Sequence, residues 1–183
     1  IARLFYQLEN FHQASSIIQI NFQDNLQALP LAENRIFWQL AFPKAYGPIV
    51  EQLSKDFNLQ PSLVYALMRK ESIFRPDALS KAGARGLMQI IPSTGERISK
   101  EIKRMPLQPD QLYDPRTNLT LGCWYLKNLI KTFEGDVTLS VASYNAGPGK
   151  VLQWLKQRSD YPVDEFIESI PYQETRNYVP QSI

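Results

Sequence analysis

From Pro61 to Ser72 the chain runs without a helix breaker. A proline suited to a first helical turn stands at one end and Arg75-Pro76 lies beyond the other. Val64, Leu67 and Met68 lie seven, four and three residues before Glu71, so a helix puts all four on one face. This segment constrains the fold most, because an apolar helical face must be buried and this one carries a carboxylate in with it. Arg69 and Lys70 point elsewhere. Lost solvation and the negative end of the helix dipole both favour the protonated carboxyl and raise its pKa, as a general acid at neutral pH requires. Taken alone, the helix fits an ordinary helix-end glutamate paired with a nearby cation better than it fits a catalytic acid.

Three later stretches change that balance. After Ser72, Pro76, Gly83 and Gly86 break residues 73–91 into a loop or small β element. Within it, Gly86-Leu87-Met88-Gln89 combines a conformationally permissive glycine with an amide able to hold a sugar hydroxyl. Further on, a helical run closes in Tyr144-Asn145-Ala146-Gly147, which as a bare string is a helix C-cap and loop. Near the end, Glu168-Ser169-Ile170-Pro171 leads to Glu174-Thr175-Arg176-Asn177-Tyr178-Val179. This stretch offers a second candidate buried acid, an acid–base pair at Glu174 and Arg176, and another tyrosine.

In this order the pieces resemble the catalytic domain of the soluble lytic transglycosylases of bacterial cell walls. That family's pattern is a Glu-Ser closing a helix, Gly-Leu-Met-Gln, Tyr-Asn-Ala-Gly, and Glu-Ser-Ile-Pro before Glu-Thr-Arg-x-Tyr-Val. The resemblance covers roughly Ala45 to Val179. It implies a mainly α, lysozyme-like catalytic domain over residues 45–183, with a small β element near 78–91. Residues 1–44 would be a short helical appendage, the last turns of a superhelical domain. It also implies that Glu71 is the catalytic acid/base and that Ser72 assists its positioning. Gly86, Leu87, Met88 and Gln89 would line the sugar subsites, Tyr144 and Asn145 would face the reacting sugar, and Glu168 and Tyr178 would support the site. Ser143 stands where the family commonly has alanine, and Pro180 comes early in what should be the closing helix.

Composition narrows the alternatives. A chain of 183 residues can hold one full core and a small appendage, and 44% hydrophobic with 21% charged residues is globular. A net charge of +2 makes no case for nucleic acid and is compatible with an anionic polymer such as peptidoglycan. The single cysteine excludes an internal disulfide. Cys123 falls in the helical row Leu119, Cys123, Leu126, Ile130, Phe133 and reads as core packing. No apolar run approaches the roughly 20 residues that span a bilayer. The chain begins at Ile1 without an initiator methionine, and both ends read as fragment ends.

Helical spacing predicts two or three short helices before Pro43, then helices at 46–57, 61–72, Pro92 to about Lys103, Pro115 to Phe133, one ending near Tyr144, and Val151 to Arg158. A loop is expected from Met105 to Tyr113. Nothing has metal-ligand or phosphate-loop spacing, so neither metal nor cofactor is expected. His12 is the only histidine, which excludes a histidine triad and leaves it a structural role. The helical contexts of Trp38, Trp124 and Trp154 favour packing over sugar stacking. Peptidoglycan glycan strands are the expected partner, with cell-wall proteins docking on the N-terminal helices, in the periplasm of the bacterial envelope.

Two carboxylates usually flank a scissile glycosidic bond. Only Glu71 has a strong claim here, since Asp77 sits in a polar loop. The resemblance supplies a scheme in which the muramyl N-acetyl group attacks its own anomeric carbon and a 1,6-anhydro sugar forms. A lysozyme-type hydrolase and a non-catalytic wall-binding scaffold are the alternatives.

Overall fold

Prolines and carboxylate caps set most of the helix starts. The computed structural model describes residues 1–27, 29–102, 106–157 and 163–182. Three helices precede Pro43: α1 (Ala2–Gln7), α2 (Phe11–Asn21) and α3 (Arg35–Ala41). Beyond it, α4 (Gly47–Phe57), α5 (Pro61–Ser72), α6 (Pro92–Glu101) and α7 (Pro115–Thr132) each carry a proline in the first turn. There the fixed φ is already helical and no donor is lost. Asp114 caps α7 by accepting from Thr117 N at 2.8 Å. Asp136 does the same for α8 (Val137–Ala146), accepting from Leu139 N at 2.9 Å. Then come α9 (Pro148–Gln157), α10 (Val163–Ser169) and α11 (Gln173–Tyr178).

Helix α7 is the spine. It packs against α4, α6 and α8, and its buried face runs through Asn118, Leu119, Leu121, Gly122, Cys123, Leu126 and Leu129. The apolar side chains among these join Val64, Leu67 and Met68 of α5 and Leu87, Met88 and Ile98 in one cluster. A second, smaller cluster of Ala2, Ile18, Leu40 and Ala41 holds α1–α3 together. Cys123 is fully buried and its thiol is pushed up to about 12 by burial, so it is an inert core residue. Trp154 is buried edge-on to Tyr172, Trp38 stacks on Phe42, and Trp124 packs against the main core.

The expected β element is reduced to two isolated antiparallel bridges, Leu79 with Arg85 and Arg85 with Ile90. Pairing stops there because Gly83, Gly86 and Gln89 all turn the backbone through positive φ. The expected loop before Tyr113 ends in a 3₁₀ turn over Pro109–Tyr113. Met105 and the expected helix ends at Lys103 and Arg158 lie outside the described residues. No helix among the described residues is long and apolar enough to cross a membrane.

Candidate active site

The carboxylate of α5 goes inward as its helical face requires. Val64, Leu67 and Met68 are each fully buried, and Glu71 follows them as the penultimate residue of the helix. Burial is the largest influence on its carboxyl and drives the pKa up from 4.5 to about 7. The Tyr178 hydroxyl, from α11, donates to Glu71 Oε1 and works against that rise, as does Lys70, while the charge of Glu174 adds to it. The same burial and the nearby Glu71 raise the pKa of Tyr178 and of Tyr144, so both hydroxyls stay protonated and act as donors. Tyr144 donates to Met88 O at 2.9 Å.

The segment after Glu71 is fixed by backbone contacts. Ser72 Oγ lies 2.9 Å from Leu87 O and 3.1 Å from Met68 O, and accepts from Arg75 N at 3.2 Å. It therefore ties the helix end to the 86–89 loop. The side chains of Leu87 and Met88 are both fully buried, and their carbonyls accept from Ser72 and Tyr144. Gly86 is also buried, at φ +76, and a Cβ there would stand 2.2 Å from Leu112 O and 2.4 Å from Asn118 Nδ2. Only glycine fits.

Gln89 and Asn145 reach open space. With Ile90, Thr94, Tyr125, Tyr144 and Gly147 they line a cavity of about 250 Å³. Gln89 Nε2 donates to Gly86 O at 2.9 Å, which leaves Oε1 as an acceptor. Asn145 Oδ1 accepts from Thr175 Oγ at 2.7 Å, which leaves Nδ2 as a donor. Larger cavities of about 470 and 390 Å³ lie elsewhere, lined by Arg3, Tyr6 and Lys44 and by Asn10, His12 and Asp77. The smaller one is the chemical candidate, because its Tyr144 wall lies within the field of Glu71.

Glu168, the second candidate buried acid, lies exposed on α10, which corrects that reading, and the acid whose charge reaches Glu71 is Glu174. The expected pairing of Glu174 with Arg176 is also absent from the described ion pairs. Residues two apart on a helix do not face each other. Asp77 is 82% exposed and paired with Arg75.

Two positioning residues were missed by the sequence reading. Asn118 is fully buried in α7. It accepts from Met88 N at 2.7 Å and donates to Arg85 O and Leu112 O at 2.8 Å each. An asparagine on the same helical face as Gly122, Leu126 and Leu129 was the available signal. Thr175, which orients Asn145, is a buried threonine inside an otherwise polar motif and left no comparable signal. Among the described residues no group of three or more His, Cys, Asp or Glu side chains gathers into a metal-ligand set.

The soluble lytic murein transglycosylase of Escherichia coli K12 is 38% identical over 141 residues, spanning 75% of this chain and 22% of that enzyme. An inactive mutant of lytic transglycosylase Slt from Pseudomonas aeruginosa superposes with a TM-score of 0.83 at 36% identity, over 99% of this chain and 28% of that one. The 70 kDa soluble lytic transglycosylase SLT70 of E. coli gives a TM-score of 0.86 at 31% identity, over 100% and 28%. The mainly helical, lysozyme-like expectation therefore holds. The chain spans about a quarter of the length of these relatives. Residues 48–167, which carry the buried acid, the glycine-pinned loop and the Tyr144–Asn145 turn, match the family model of the transglycosylase SLT domain, and the chain belongs to that family.

Proposed function

We propose that this chain carries the catalytic centre of a lytic transglycosylase. It would cleave the β-1,4 bond between N-acetylmuramic acid and N-acetylglucosamine and leave 1,6-anhydromuramyl ends, in the periplasm of the bacterial envelope. One observation carries the reading. Among the described residues, Glu71 is a carboxyl on an inward helical face with its pKa near 7, and its charge acts on Tyr144, which lines the cavity that also holds Gln89 and Asn145, while Asp77, Glu168 and Glu174 are exposed.

A protonated Glu71 gives its proton to the glycosidic oxygen as the C1–O bond breaks, and the substrate's own N-acetyl oxygen bonds to C1. Tyr178 holds Oε1, steadying the carboxylate that results. Glu71 then takes the proton of the 6-hydroxyl, whose oxygen displaces the N-acetyl oxygen at C1 and closes the anhydro ring. No water is consumed. The donor of Asn145 and the acceptor of Gln89 suit the hydroxyl and acetamido groups of such a sugar. Leu4 on α1, Leu8 at its C-cap and Ile20 on α2 are exposed apolar side chains available to a cell-wall protein partner.

Mass spectrometry of digested peptidoglycan tests the reading. Anhydro ends are expected. Reducing ends would identify a hydrolase, and binding without any cleavage a scaffold.

A further inference from the structure

The helix that carries Glu71 ends in an unusual way. Ile73 and Phe74 both take left-handed backbone, at φ 50 and 59. That conformation is unfavourable for any side chain and more so for a β-branched one such as Ile73. Two such residues in succession persist only where surroundings hold them. Phe74 supplies one hold, its ring 2% exposed in the main core. Ser72, tied to Leu87 O, supplies another.

The third hold comes from outside the matched family residues. His12, in the first turn of α2, places Nδ1 3.0 Å from Ile73 O, across 61 residues of sequence. A carbonyl oxygen can only accept, so Nδ1 carries the proton. The bond fixes the peptide plane between the two left-handed residues, two positions after Glu71. Phe11 packs edge-on to Tyr46 at 5.7 Å beside it, which seats the start of α2. A second brace lies one turn earlier on α5, where the Arg69 guanidinium sits 4.6 Å above the Phe42 ring and 3.4 Å from Gln19 Oε1.

We propose that His12 is a positioning residue for the acid: through Ile73 O, the N-terminal segment fixes the last turn of α5 and hence the aim of the Glu71 carboxyl. This rests on the transglycosylase reading above. His12 touches neither substrate nor the reacting atoms, so it acts on the rate of the chemical step and not on glycan binding.

The test uses the 183-residue chain and a soluble peptidoglycan oligosaccharide. His12→Phe keeps a flat ring without the donor, and His12→Asn puts an amide nitrogen close to where Nδ1 was. For His12→Phe, kcat should fall about three- to tenfold with KM unchanged, the size expected when one neutral hydrogen bond is lost. His12→Asn should recover kcat to within about twofold, as a donor at that place would give. Thermal unfolding of each variant gives the folded fraction at the assay temperature. An unchanged kcat in His12→Phe, a loss matched by unfolding, a rise in KM instead, or equal impairment of both variants overturns the inference. Failure of the unsubstituted chain to release anhydro products would instead overturn the transglycosylase reading.

Discussion

Glu71 combines three influences that a surface glutamate never meets together: an apolar face beneath it, a tyrosine hydroxyl on one oxygen and a second carboxylate within reach. Burial wins, and the carboxyl titrates near 7. Glu71→Gln keeps the shape and the bond from Tyr178 but cannot give or take the proton. Turnover should fall by at least about 10²–10⁴-fold with folding and glycan binding intact, as single-turnover and binding assays would read. The active form is the protonated one, so kcat/KM should decline as pH rises through about 7. Tyr178 favours the ionised carboxylate, and removing it must raise the pKa further. Tyr178→Phe should therefore move the alkaline limb of the pH–rate profile to higher pH. A limb that stayed put or moved down would show that Tyr178 does not govern the acid.

At the scale of elements, the 86–89 loop is held by α7 from one side and by α5 from the other. Asn118 satisfies three backbone groups of the loop and its neighbour, and Gly122 leaves room for Met88, whose sulfur would stand 2.3 Å from a Cβ there. Gly86 is the tightest point, where both the positive φ and the contact with Leu112 O exclude a side chain. Gly86→Ala should destabilise the fold by about 2–4 kcal/mol in chemical denaturation, through backbone strain and overpacking together. The loop itself was legible in the sequence from its glycines. The burial of Leu87 and Met88 was not, because two adjacent apolar residues in an irregular segment have no periodicity to say which way they point.

Over the whole molecule the apolar surface is divided unevenly. The main core draws on every helix from α4 to α11, whereas α1–α3 close over a small cluster and leave Leu4, Leu8, Ile20, Leu29 and Leu31 exposed. Local opening is easiest where few buried apolar contacts resist it. Backbone amides of α1 and α3 should therefore exchange with deuterium faster than those of α7 in native-state hydrogen exchange. Comparable protection in both would mean that the N-terminal helices share the stability of the main core.

The helix starts at Pro61, Pro92 and Pro115, the inward face of α5 and the burial of Cys123 were determined by the sequence alone. They depend on proline φ, capping carboxylates and 3.6-residue periodicity, which act within a turn or two. The place of Glu71 on that face was readable for the same reason, since the apolar residues and the carboxylate lie within eight residues of each other. Tertiary structure decided the rest: that Tyr178 meets Glu71 across 107 residues, that Tyr144 meets Met88 across 56, and that His12 meets Ile73 across 61. It also turned Glu168 out to solvent and let the charge of Glu174 reach the acid. A polar side chain on a short helix has no local partner to declare its direction. Its role is fixed only when chain folding brings a distant donor or acceptor to within hydrogen-bond distance.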